Sequence, residues 1–210
     1  MRSMKLGRCA LLLGMTLTLG ACSLLPEAKP VQSWTLTPVA AHLDEGQGEV
    51  QLTDLRILRP QAQDLLSGNY LLVVPEGLSV SVYKDARWSA TLPNLWRDYL
   101  VTALQQDGRF ARISNDEVRV AAEYELISRL DAFQSEYHQG QPVAVMRGYL
   151  QLVDANSRAI IAERPLQLSE PAASEDVAAV VTAFESLMAG ASEEIRNWLL
   201  QVQQQELSRL

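Results

Sequence analysis

The C-terminal stretch of the chain holds the pattern that most restricts its fold. Apolar residues recur there every three or four positions, which places them on one side of an α-helix. They are Val177, Val180, Val181, Phe184, Leu187, Met188, Ala191, Ile195, Trp198, Leu199 and Val202. A helix over about residues 174–204 is predicted, with Ser174 as its N-cap. Such a stripe is expected to be buried, either in a coiled coil with a second helix or against the face of a β-sheet. The lack of a strict heptad repeat favours the sheet.

The sheet is predicted from segments that alternate with a period of two. Three long segments of this kind lie between residues 124 and 168, and turn sequences separate them, as in an antiparallel meander. Shorter strands are predicted over 34–37, 50–58, 70–74 and 78–82. A second amphipathic helix is predicted over about 91–107, with Thr91 as N-cap and Arg97 on its solvated side. The result is an α+β fold, a mostly antiparallel sheet with two amphipathic helices on one face.

The N-terminus has the features of a lipoprotein signal. Three cations precede an apolar run over residues 10–19, which is too short for the roughly 20 residues that span a bilayer. The sequence Leu19-Gly20-Ala21-Cys22 then resembles the bacterial lipobox. That resemblance implies a diacylglycerol on the sulfur of Cys22, cleavage before this residue and an acyl chain on the new amine. The predicted organisation is a signal peptide (1–21), a lipidated tether (22–30) and one α+β domain (31–210).

The charge, the cysteine content and the absence of known motifs restrict the kinds of partner and chemistry that are expected. The chain has 18 Lys and Arg against 25 Asp and Glu, and the signal peptide removes three cations, so the mature formal net charge is −10. An acidic protein of this kind is not expected to bind nucleic acid. The two cysteines are Cys9, which leaves with the signal, and Cys22. No motif for a catalytic residue, a metal site or a cofactor is found, so an enzyme is not predicted.

Several segments of the chain are similar to those of a known family. The segments that carry the resemblance are Arg59-Pro60, the apolar run 70–74, the string Tyr83-Lys84-Asp85-Ala86-Arg87-Trp88, and residues 104–110. They resemble the ABC-type transport auxiliary lipoprotein family, which includes the PqiC-type lipoproteins, over nearly the whole mature chain. Carried over residue by residue, Cys22 is the anchor and Asp85, Arg87 and Trp88 belong to the family motif.

The resemblance implies a function in the envelope of Gram-negative bacteria. Such a protein is an accessory subunit of an MCE-type ABC transport system, which moves lipids or other hydrophobic molecules between the two membranes and supports membrane integrity. The implied partners are the MCE-domain protein that spans the periplasm and its inner-membrane transporter. Ser23, in place of an Asp that would retain the protein at the inner membrane, implies anchoring at the periplasmic face of the outer membrane. A structural or assembly lipoprotein without a transport role, and a lipid-carrying chaperone, remain as alternatives.

Two sets of residues are candidates for partner contacts. In the motif, Arg87 and Trp88 are either an exposed interface pair or structural residues, with Trp88 filling the junction of sheet and helix and Asp85 and Arg87 fixing the turn. The second set follows from the sheet face that the helices leave uncovered. Apolar residues that share the period of Arg129 and Arg147 are expected there, namely Phe133, Tyr137, Val143, Val145 and Tyr149. This face is expected to bind the MCE protein or sister copies in a homo-oligomeric ring, unless the first strand covers it.

Overall fold

The computed structural model describes residues 30–38, 52–75 and 77–208 of the chain. The folded unit is Val31–Leu210. Its strands are β1 (Gln32–Trp34), β2 (Leu52–Ile57), β3 (Gln61–Ala62), β4 (Tyr70–Val74), β5 (Ser81–Trp88), β6 (Phe110–Asn115), β7 (Tyr124–His138), β8 (Gln141–Asp154) and β9 (Ile160–Pro171). Its α-helices are α1 (Leu92–Asp107) and α2 (Val177–Leu207), and a 3-10 turn covers Asp64–Ser67.

The long strand β7 organises the sheet. One of its edges pairs antiparallel with β8, which in turn pairs antiparallel with β9. Its other edge pairs in parallel with β2, β3 and β4 in succession. Strand β5 is antiparallel to β4, while β1 and β6 extend the sheet in parallel beside β5 and β2. The predicted meander and α+β class are confirmed, and the described part of the chain adds five short parallel ladders to the long antiparallel ones.

Both helices cover the same side of this sheet. Helix α1 packs on β2 and β6, and α2 packs on β8 and β9. The indole N–H of Trp96 in α1 donates to the Ser128 hydroxyl of β7 at 3.2 Å, and the ring of Phe184 in α2 stacks on Phe133 of β7 at 4.6 Å between centroids. We call this the helix side and the opposite face the outer side. The predicted arrangement of two helices on one face is confirmed.

The helix starts differ from the prediction in one respect. Helix α2 begins at Val177 with Asp176 as its N-cap, so the assignment of Ser174 as the cap is wrong. The Ser174 hydroxyl accepts the backbone N–H of Asp176 at 3.3 Å and thus forms a local turn before the helix. Thr91 is the N-cap residue of α1, but its side chain makes no capping hydrogen bond.

Some strands also differ from their predicted ranges. The first strand is shorter and earlier than 34–37, and β5 starts later than 78 and continues through the family motif to Trp88. The motif is extended because β1 pairs with it on one edge, from Gln32 opposite Ala86 to Trp34 opposite Trp88. Strand β6 is not predicted, since its apolar and polar residues do not alternate clearly. It forms because the neighbouring β2 supplies a parallel hydrogen-bonding partner.

Candidate functional site

The two ends of the sheet contain different parts of the chain. Because β1 runs parallel to β5, the chain enters the domain at the end where both strands begin. The β4–β5 hairpin, the β7–β8 turn and the start of α2 lie at this end, which we call the entry end. The far end holds the starts of β7 and β9 and the preceding loops. Cys22, the predicted lipidation site, lies outside the described residues, and its modification stays a prediction.

Trp88 of the family motif is a core residue. Its side chain is completely buried, and its ring lies 5.9 Å from Phe133 and 5.4 Å from Phe184 between centroids, edge-on to the latter. The backbone N–H of Trp88 donates to the carbonyl of Asn69 at 2.8 Å, which ties the end of β5 to the start of β4. Trp88 therefore joins the sheet to α2, and the hypothesis of an exposed Arg–Trp pair is wrong.

Arg87 and Asp85 lie on the surface next to this core residue. The Arg87 side chain donates from Nε to the Ser33 hydroxyl on β1 at 3.3 Å. Asp85 adopts a left-handed backbone conformation with φ 58°. No ion pair joins Asp85 and Arg87 within the described residues. The strained backbone at Asp85 instead marks an irregularity in the strand pairing.

That irregularity is a wide bulge in β5. Leu72 pairs with Val82, whereas Tyr70 pairs with Arg87, so four residues of β5 lie opposite the single residue between Tyr70 and Leu72. The extra residues project the exposed Lys84 and Asp85 from the sheet. The family motif is thus a bulged strand end with a buried tryptophan and an exposed charged segment.

A second bulge, in β7, overturns the predicted placement of Phe133 and Tyr137. Leu130 pairs with Gly148 and Ala132 with Arg147, so Asp131 is an additional residue in the ladder. Since one extra residue reverses which side chains face which side, Phe133 turns to the helix side and is only 1% exposed. Tyr137 follows with the same parity and is also on the helix side. Neither residue belongs to the uncovered face.

Gly148 lies directly opposite this bulge. A Cβ atom built on it would overlap the carbonyl oxygen of Arg129. A glycine inside a strand is typical of a bulge or a close backbone approach, and this is the signal that could have located the irregularity in the sequence.

Val143, Val145 and Tyr149 do lie on the outer side, as predicted from their alternation in β8. Val143 and Val145 are nevertheless buried, at 8% and 4% exposure. Tyr149 is half-buried, with the guanidinium carbon of Arg129 5.8 Å from its ring centroid. Arg129 also pairs with Asp131 at 2.7 Å. The meander therefore offers Tyr149 and the arginines for contact rather than an apolar surface.

Exposed apolar side chains on the outer side lie instead on β4, β5 and their connection. Tyr70 is 48% exposed and lies opposite Arg87, while Val80 and Val82 are 45% and 43% exposed. Leu78, in the hairpin before β5, is fully exposed. The sequence predicts a half-exposed strand here, because Ser79 and Ser81 alternate with the apolar residues. The sequence does not reveal that the alternating apolar side chains of this strand face solvent.

A buried arginine of α1, predicted to be solvated, connects this helix to the loop between β6 and β7. Arg97 is 3% exposed and forms ion pairs at 2.8 Å with Asp98, Asp116 and Glu117. Burial alone would lower the pKa of Arg97, but hydrogen bonds with these three carboxylates raise it above its usual value. The expectation of a solvated Arg97 is wrong because residues 116–117 fold back over the helix.

A buried carboxylate joins the two helices. Asp107, at the end of α1, is 1% exposed and contacts Arg109 at 2.6 Å and Arg196 of α2 at 3.3 Å. Burial would raise the pKa of Asp107, but the hydrogen bonds and charges of the arginines lower it overall. This pair holds α1 and α2 together over the sheet.

Two surface cavities among the described residues differ in character. An apolar groove of about 540 Å³ near the far end is lined by Leu55, Val101, Ile113, Val118 and Val120 among others. A more polar cavity of about 850 Å³ lies beside Arg59, Asp116, Arg129 and Asp131. No cluster of three His, Cys, Asp or Glu side chains able to hold a metal ion occurs in the described ranges. Nor does any helix described here have the length and hydropathy to cross a membrane.

Solved structures share the fold. Protein XCC0632 from Xanthomonas campestris, of family DUF330, superposes with a TM-score of 0.71 at 22% identity, over 85% of this chain and 97% of its own. An uncharacterized protein superposes with a TM-score of 0.62 at 16% identity, over 82% of this chain and 99% of its own. At these identities the likeness establishes the fold alone. No curated protein sequence matches the chain.

The sequence match to a family is more informative. The family model of the ABC-type transport auxiliary lipoprotein component matches residues 34–196. This range runs from the end of β1 into α2 and includes the bulged motif of β5 and the meander. The family is one of transport auxiliary proteins and not of enzymes. The chain is therefore a member of the ABC-type transport auxiliary lipoprotein family.

Proposed function

We propose that the protein is an outer-membrane-anchored accessory subunit of an MCE-type ABC transport system that moves lipids or other hydrophobic molecules across the periplasm. The observation that carries this proposal is the family match over residues 34–196, because the family is defined as an auxiliary component of ABC-type transport. The lipobox ending at Cys22 and Ser23 after it support anchoring at the outer membrane. The protein itself is proposed to act by binding and not by catalysis.

The partner surface that we propose is on the outer side of the sheet. It consists of Tyr70, Arg87, Arg129, Arg147 and Tyr149, which are exposed or half-buried there. Tyrosine and arginine are the residue types that most often dominate the binding energy of interfaces. Arg129 and Arg147 are pre-oriented by ion pairs with Asp131 and Glu136, at 2.7 and 2.6 Å, so little side-chain freedom is lost on binding. The same surface would serve contacts between sister copies in a ring, where a weak contact is repeated.

A pull-down from detergent-solubilised envelopes tests the proposal. The lipidated protein should retain an MCE-domain protein, and Tyr70→Ala combined with Tyr149→Ala should weaken this retention at least tenfold. Val118→Ala, an exposed position at the far end, is the matched control and should retain the partner. Recovery of outer-membrane assembly proteins without an MCE protein would contradict the proposal and favour the structural lipoprotein. Light scattering of the same variants reports whether the surface also holds an oligomer.

A further inference from the structure

We propose that the β4–β5 hairpin, through Leu78 and Val80, rests on the lipid surface to which the chain is anchored. The inference depends on the proposed anchoring at Cys22 but not on the MCE partner. It gives the anchor a second, non-covalent contact that orients the domain on its membrane.

The position of the hairpin follows from how the chain enters the domain. Gln32 of β1 pairs with Ala86 in parallel, so the chain before Gln32 leads toward the start of β5 and the hairpin. Eight residues, 23–30, separate the predicted anchor at Cys22 from the domain. At about 3.3 Å per residue they span at most about 26 Å. The entry end of the domain is thus the end held close to the bilayer.

The exposed side chains of the hairpin suit an apolar surface. Leu78 is 100% exposed and Val80 45% exposed, and both precede the paired part of β5. Two residues of extended chain advance by about 7 Å, which matches the 5–10 Å depth reached by surface-bound apolar groups. An isolated exposed apolar residue is unremarkable in a soluble protein, but Leu78 sits at a tip and is followed by the exposed Val80 and Val82.

The charges around the hairpin indicate which lipids are favoured. Exposed or half-buried carboxylates at the entry end belong to Glu136, Glu170, Glu175 and Asp176. They repel anionic headgroups, since attraction to such lipids requires clustered lysine or arginine. Of these acids, Glu136 is neutralised by Arg147 at 2.6 Å. The contact should therefore be apolar, favour zwitterionic phospholipids and weaken as anionic lipid is added.

A site-specific probe in the lipidated full chain tests the contact. The mature chain has no cysteine other than Cys22, so Ser79→Cys introduces a single labelling site beside an intact Leu78. A polarity-sensitive fluorophore at this position should shift to the blue on vesicles of phosphatidylethanolamine and phosphatidylcholine. Its quenching by aqueous iodide should be several-fold slower than that of Ala159→Cys, an exposed site at the far end. Ser79→Cys combined with Leu78→Asp should lose the protection while keeping its lipid, as checked by mass.

The outcomes separate this inference from its alternatives. Equal quenching at positions 79 and 159 would overturn it, as would protection that persists with Leu78→Asp, because closeness to the anchor alone would then explain it. Protection seen only in native envelopes would assign the hairpin to a protein partner and also overturn it. An unlipidated Cys22 would remove its basis. The vesicles contain no transporter, so failure to recover an MCE protein would leave this result unaffected.

Discussion

At the scale of single residues, buried charges do more to organise this domain than its exposed ion pairs. Arg97 and Asp107 are almost inaccessible to solvent and each contacts opposite charges on other segments. Removal of one partner leaves the other charge poorly solvated, which costs more than the loss of an exposed pair. The sequence suggests neither residue as buried, since a charged side chain on an amphipathic helix is normally assigned to solvent. Their burial depends on Asp116, Glu117 and Arg196, which are distant along the chain.

Asp107→Asn should lower the free energy of unfolding at pH 7 by about 2–4 kcal/mol, because Arg109 and Arg196 lose their carboxylate. The folded-state pKa of Asp107 is below its unfolded value of about 3.9. Its contribution is therefore complete above that unfolded value and is lost as the pH falls through the folded pKa. Urea denaturation between pH 3 and 7 should show a smaller difference between the variant and the parent at low pH. The control is Asp131→Asn, which removes an exposed ion pair and should lower the free energy of unfolding by less than about 1 kcal/mol. An equal loss of stability in both variants would contradict the argument.

At the scale of elements, periodicity predicts whatever repeats regularly and misses single interruptions. Helices α1 and α2 are predicted because each repeats its apolar pattern over three turns or more. The three meander strands are predicted because each alternates apolar and polar residues over many positions. The bulge at Asp131 is one residue long, and without it Phe133 would be assigned to the outer side, as the alternation suggests. The parallel pairing of β2, β3 and β4 with β7 also escapes the sequence, because their order in the sheet is determined by packing over long separations. Tyr149 is correctly expected on the outer side, whereas for Arg87 and Trp88 an exposed pair and a structural role remain two alternatives in the sequence.

Gly148 in β8 and Gly190 in α2 should respond to alanine in opposite ways. Gly148→Ala should destabilise the domain by about 2 kcal/mol or more, because the new Cβ meets the backbone of Arg129 at the bulge. Gly190→Ala in α2 should stabilise the domain by about 0.5–1 kcal/mol, because alanine favours a helix more than glycine does. The new Cβ would lie 3.5 Å from a methyl group of Leu168, which is an ordinary van der Waals contact. Thermal melts of the domain from residue 31 measure both. A neutral Gly148→Ala would show that β7 and β8 can separate at this point.

At the scale of the whole molecule, the family membership and the acidic charge together restrict how the protein is held at a membrane. A net charge of −10 after signal removal gives no electrostatic attraction to anionic lipid. Attachment is therefore expected to depend on acyl chains, of which two or more are needed for stable anchoring. The folded unit begins at Val31, and only a short tether separates it from Cys22.

Cys22→Ala should abolish lipid attachment and release the protein from the membrane fraction. Metabolic labelling with a clickable palmitate analogue, followed by fractionation, should show label in the parent and none in the variant. Ser23→Asp is the matched control for location, because it should keep the label but move the protein to inner-membrane fractions. Equal labelling of Cys22→Ala and the parent would refute lipidation at this cysteine.

The central position of β7 also bears on how the chain acquires its fold after export. Residues Leu55, Gln61 and Val73 pair with Tyr124, Arg129 and Ser135, more than 60 positions later in each case. Strands β2, β3 and β4 therefore each lack one neighbour until β7 is present, although β4 can already pair with β5 and β2 with β6. Contacts of such long separation form slowly, since loop closure precedes the gain in contact energy. One edge of the apolar strand β4 thus stays open until β7 joins it, and the sheet is expected to close only when almost two thirds of the chain is present.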